Sequence, residues 1–163
     1  MNLRELKKAH NNLVVACNNA YSRTLLMGKI SNISKNNVIM LQSNYSYYSG
    51  LYQKCVSTSE VLYRAKNNTL PKMLTGYYKH VYNIQSVATT MLTCINSIVS
   101  LLKQAYTLIL MANAGGLTKL YVTAYLLTIV SQCNVYIRQI QSYNKNISTL
   151  IISASKIYSE VVN

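Results

Sequence analysis

The chain has 163 residues and a net charge of +13, from 16 Lys and Arg against Glu5, Glu60 and Glu160. That length suits one domain with a real core, and a composition that is 50% apolar excludes an intrinsically disordered chain. Three carboxylates, none of them Asp, exclude the paired acids of glycoside hydrolysis and the oxygen cages that hold Mg²⁺ or Ca²⁺.

The first segment reads as a helix from Asn2 to about Met27, with Leu3, Leu6, Leu13, Cys17 and Ala20 near one face and Gly28 as its stop. A second helix is expected over 31–67, its stripe running Val38, Leu41, Tyr45, Tyr48, Tyr52, Cys55, Ser59 and Leu62 by threes and fours. Inside it, Ser43 to Gly50 is rich in Tyr and Ser and resembles strand-forming sequence, so a strand is the alternative there. Asn67-Asn68-Thr69 ends the pattern. Thr69 can cap the next helix, and Pro71 suits its first turn, where the missing N–H has no partner.

The third and fourth segments, 70–113 and 117–161, carry the strongest signal. From Leu70 through Leu74, Tyr77, Val81, Ile84 and onward to Ile109, apolar residues step by four and then three without a miss. A second ladder runs from Val122 through Ile129, Cys133 and Ile140 to Val161. Alternating steps of three and four average 3.5 residues, the period at which a helix holds one stripe against a partner. At 1.5 Å per residue each helix would be roughly 65 Å long, and Ala114-Gly115-Gly116 would join them.

Short connections make neighbouring helices antiparallel. The expected fold is all-α: one domain over 1–163, an elongated antiparallel up-down helical bundle with a long helix 3–helix 4 coiled-coil hairpin. In outline, such hairpins with Ala/Gly tips resemble the pilus-associated subunits of bacterial conjugation machines and some viral structural proteins, with no motif that assigns a family.

This topology sorts the sequence into two unlike ends. Arg4, Lys7, Lys8, Arg64, Lys66, Lys72, Lys79 and Lys156 would share one of them, offset by the three glutamates. At the other, Leu108, Leu110, Met111, Gly115, Gly116 and Leu117 would form an apolar tip. The cationic end suits nucleic acid, bound without sequence readout, or an anionic membrane surface. The tip suits burial against a neighbouring subunit or helix 1, docking of a partner, or shallow membrane insertion. The uncharged run between Lys103 and Lys119 is too short to span a bilayer by itself.

Catalytic signals are missing. Cys17, Cys55, Cys94 and Cys133 are far apart, with no C-x-x-C, and read as small hydrophobes instead of metal ligands. Gly115-Gly116 lacks the strand and spacing of a phosphate loop. No enzyme activity, metal, cofactor or small-molecule substrate is expected. The expectation is a structural or assembly protein of a virion, a filament or a secretion or conjugation apparatus, self-associating or joined to other subunits. A nucleic-acid or lipid-surface module and a membrane-active hairpin are the alternatives. The start has no long apolar run of the secretory type, so a cytoplasmic or virion-associated setting is expected by default.

Overall fold

The computed structural model describes residues 3–28, 34–67, 71–116 and 118–162. Among them are four α-helices and no strand: α1 (Leu3–Met27), α2 (Lys35–Asn67), α3 (Lys72–Asn113) and α4 (Lys119–Val162). The chain is an all-α helical bundle. Ser43 to Gly50 is helical, because Leu41, Tyr48, Leu51 and Cys55 bury at helical spacing along α2. That face outweighs the local strand preference of Tyr and Ser.

The helix ends explain where each element begins and stops. The Ser34 hydroxyl accepts the Asn37 N–H at 3.3 Å, an N-cap that starts α2 at Lys35, later than the sequence suggests. Pro71 is the N-cap of α3 and does not sit in its first turn. Its ψ of 143° is extended, and its carbonyl accepts the Leu74 N–H at 3.0 Å. Thr69 and Leu70 lie outside the described residues. After Asn113 the Gly115 N–H reaches the Ala112 carbonyl and the Gly116 N–H reaches the Met111 carbonyl, both at 3.0 Å. This is a Schellman stop, and its left-handed position falls on Gly115, at φ 81°. Thr118 Oγ1 accepts the Tyr121 N–H at 3.3 Å and starts α4 at Lys119, two residues after the expected 117.

The helices touch around a ring, α1 to α2, α2 to α3, α3 to α4 and α4 back to α1, with the α3–α4 interface the most extensive. Specific contacts join α1 to α2, α1 to α4 and α3 to α4. Thr58 Oγ1 donates to the Ala9 carbonyl, while Tyr48 Oη donates to the Ala20 carbonyl. His10 stacks on Tyr158, while Gly28 lies against Gln141. Gly76 faces Ile157, while Cys94 faces Gln139.

The core follows the ladders closely. On α3 the steps from Leu74 through Ala105 are all buried, including Tyr77, Met91 and Ile98. On α4, Val122, Ile129, Cys133, Ile140, Ile147 and Ala154 are buried, joined by Ile137 and Asn144, which lie deeper than the half-buried Tyr136 and Tyr143.

Two earlier expectations fail. Leu3 is exposed at the start of α1. Tyr45 is also exposed, and Asn44 takes the buried place on α2. Asn44 falls on the same three-four stripe as the buried Leu41, Tyr48, Leu51 and Cys55, and Tyr45 does not. The Arg23 guanidinium of α1 lies 4.9 Å from the Tyr47 ring centroid and donates to Asn44 Oδ1 at 3.4 Å. Asn44 Nδ2 and Asn144 Oδ1 are buried without a hydrogen-bond partner, at about 1–3 kcal/mol each.

Candidate functional site

The cationic end is organised by an aromatic junction. His10 of α1 stacks on Tyr158 of α4, with centroids 3.9 Å apart and planes 13° off parallel. The hydroxyl of Tyr77 on α3 is hydrogen-bonded to His10 Nδ1 at 2.6 Å. The beginnings of α1 and α3 and the end of α4 therefore meet. The end of α2 joins them through a groove in which Tyr63 and Arg64 face Tyr78 and Tyr82 of α3.

Arg4, Lys7, Lys8, Arg64, Lys72, Lys79 and Lys156 are all exposed on the segments gathered here. The side chain of Lys66 lies outside the described residues. Exposed cations on neighbouring helix ends can hold an anionic partner at low salt and release it as salt screens them.

Partial burial lowers the pKa of His10 from its ordinary 6.5. Folding therefore favours the neutral ring. Its contribution is complete above the unfolded pKa and is lost as pH falls through that value toward the lowered one. His10→Phe keeps the ring stack and removes the titration. The expected result is a flatter dependence of Tm on pH between about 7 and 5 than in the parent protein, measured by circular dichroism.

The thiols are core groups. Cys17, Cys55, Cys94 and Cys133 are free and buried. Contact with Cys55 and burial raise the Cys17 thiol, and burial pushes Cys133 up to about 11. Cys94 Sγ donates to Gln139 Oε1 at 3.5 Å. Burial thus keeps the Cys17, Cys94 and Cys133 thiols protonated and unreactive near neutral pH. Among the described residues, no three of His, Cys, Asp and Glu gather as metal ligands would.

The opposite region is apolar and open. Gly28 lies against Gln141 and Leu25 lines a groove with Arg138, so among the described residues the part of α4 before Arg138, roughly 30 Å of helix, extends past the end of α1. There Leu120 is 84% exposed and Leu127 66%, with Tyr121 and Tyr125 also exposed. On α3, Leu110 and Met111 are exposed and Leu108 is half-buried. Gly115 and Gly116 are exposed at the turn, and Leu117 lies outside the described residues.

The exposed apolar surface extends past the expected tip, down α4 to Leu127. α3 and α4 each hold an 18-residue stretch with the hydropathy of a membrane span, and the residues between Lys119 and Arg138 on α4 carry no charge. Only 33% and 22% of those stretches are buried.

The tyrosine groove between α2 and α3 leaves little trace in the sequence. Its one sequence signal is Tyr78 and Tyr82, four residues apart and off the buried stripe, so that they stand one above the other on α3. Nothing in the sequence brings Tyr63 to them. Compared with protein-family models, with curated proteins and with solved structures, the chain matches none.

Proposed function

We propose that this protein is a non-enzymatic assembly subunit, an up-down antiparallel bundle whose elongated α3–α4 coiled-coil hairpin associates with a second copy through its apolar tip. The contacts in opposite senses between neighbouring helices support the topology, and the unbroken three-four ladders support the coiled coil. One observation carries the function: Leu110, Met111, Leu120 and Leu127 are exposed together where α1 no longer covers α4. Clustered apolar exposure on a chain with a complete core marks an interaction surface. Each such side chain, if fully buried by a partner, contributes about 1.5–3 kcal/mol. A subunit of this kind fits a virion, a filament or a secretion or conjugation apparatus.

Sedimentation velocity tests the reading. The parent protein is expected as a discrete oligomer, and Leu120→Asp/Leu127→Asp as a monomer with the same helicity, since both side chains are exposed. A monomeric parent at micromolar concentration ends the proposal.

The hydropathy of α3 and α4 favours a second reading, insertion of the hairpin into lipid. Lys119 opposes it, because it begins α4 beside the turn and would enter the bilayer with the tip. Liposome leakage that Leu110→Asp abolishes would decide for lipid.

A further inference from the structure

We propose that the groove between the end of α2 and the start of α3 binds single-stranded nucleic acid, with Tyr63, Tyr78 and Tyr82 stacking on bases and Arg64 and Lys79 against phosphates. The groove is open to solvent and has a volume of about 600 Å³. Tyr63 and Tyr82 are each 55% exposed, whereas Tyr48 and Tyr77 are completely buried. Tyr78 and Tyr82 hold their rings 28° from parallel with centroids 6.3 Å apart. That is an ordinary separation for an aromatic pair one turn apart on a helix, and it leaves the Tyr82 ring open to solvent. Tyr63 forms the facing wall.

Charge selects the partner. The groove carries Arg64 and one carboxylate, Glu60, which lies one turn away on the same helix. Lys79 is exposed three residues before Tyr82, and Lys72 is exposed at the start of the same helix. The net charge of +13 draws a polyanion to the whole end.

The lining excludes two other occupants. Val56 is its one aliphatic residue, so an amphipathic helix would find no apolar floor. Ring faces bind unpaired bases, which a duplex keeps stacked inside. The surface is distinct from the hairpin tip, so it operates whether or not the protein self-associates.

Fluorescence anisotropy with a labelled oligothymidylate of about 20 nucleotides tests this, alongside a duplex of equal length and inorganic polyphosphate as a base-free competitor. The single strand is expected to bind about tenfold or more tightly than the duplex, and polyphosphate to compete poorly. Tyr63→Ala/Tyr82→Ala should weaken single-strand binding about tenfold or more, while Tyr63→Phe/Tyr82→Phe stays within about twofold. Arg64→Gln should instead lower the slope of log affinity against log salt by about 0.7, one phosphate contact. Thermal melting of the alanine variant should match the parent, because both rings are mostly exposed. Equal binding by the parent and the folded alanine variant, equal binding of duplex and single strand, or no binding to either overturns the proposal. If the alanine variant does not fold, an unchanged salt slope in Arg64→Gln overturns it.

Discussion

Ile98→Asp is expected to abolish folding of the bundle, and Ile140→Asp to do the same from the facing helix. Both isoleucines are fully buried, one on α3 and one on α4, within a single core cluster. Two losses add. Removing a buried Ile side chain forfeits its transfer energy and leaves a void, about 2–5 kcal/mol for comparable truncations. The new carboxylate then either stays charged without a partner or takes up a proton at a cost, several kcal/mol in either case. The sum rivals the whole stability of an ordinary domain, about 5–15 kcal/mol. Ile98→Val, which keeps shape and polarity, should cost only about 0.5–1.5 kcal/mol. Ile152→Asp is the exposure control, since Ile152 is 71% exposed on the same helix as Ile140. Circular dichroism melts of the four variants check the set. A cooperative melt at the parent temperature in either core variant would show that α3 and α4 do not pack through these ladders.

The second large effect is alkaline. Tyr48 is fully buried between α1 and α2, its hydroxyl donating to the Ala20 carbonyl at 2.8 Å and pairing with Thr24. Burial pushes its phenol up to about 12, and burial raises Tyr77 in the same direction. A phenol raised in the folded state keeps its proton there while the unfolded chain gives it up near 10. Stability is therefore complete below pH 10 and falls as pH climbs through the folded value. For Tyr48 alone the loss by pH 12 is on the order of 3 kcal/mol. Cys133, at about 11, adds a loss of the same sign that begins near 9.

Lysine deprotonation in this window relieves repulsion in a chain of +13 and shifts stability the other way, so a net fall identifies the buried acids. Urea midpoints from pH 8 to 12 should drop for the parent and drop less for Tyr48→Phe. At neutral pH the same variant should cost only about 1 kcal/mol, the net worth of a hydrogen bond. Parallel midpoint curves for the two proteins would mean that Tyr48 is not held in a dry core.

The difference between α2 and α3 shows where sequence reasoning reaches its limit. On α3 the stripe is made of Leu, Ile, Val, Met and Ala, and every described step from Leu74 to Ala105 is buried. Only one face of that helix is apolar, so the helix can pack one way. On α2 the stripe mixes Tyr, Ser, Asn and Cys, and several faces are nearly equivalent. Leu41, Tyr48, Leu51 and Cys55 carry the buried stripe through Asn44, and Arg23, across on α1, bonds that side chain and covers the ring of Tyr47. That polar contact between helices cannot be read from the period of either one.

The functional surfaces divide in the same way. The cations and the Ala-Gly-Gly turn are visible as strings of letters, and Gly115 takes the left-handed position that its type invites. The extent of the tip was hidden, because Leu120 and Leu127 become exposed only when α1 stops short, at Gln141.

The sequence by itself determined that this protein is helical, how many helices it has, nearly where they end, and which face of α3 and α4 is buried. Those are properties of neighbours three and four residues apart, and a repeating apolar stripe states them directly. The tertiary structure alone decided that His10, Tyr77 and Tyr158 meet, that Tyr63 faces Tyr78 and Tyr82, and that part of α4 stands uncovered. Each of these depends on the length and rotation of one helix relative to another, which side-chain contacts between distant segments set and no local period encodes.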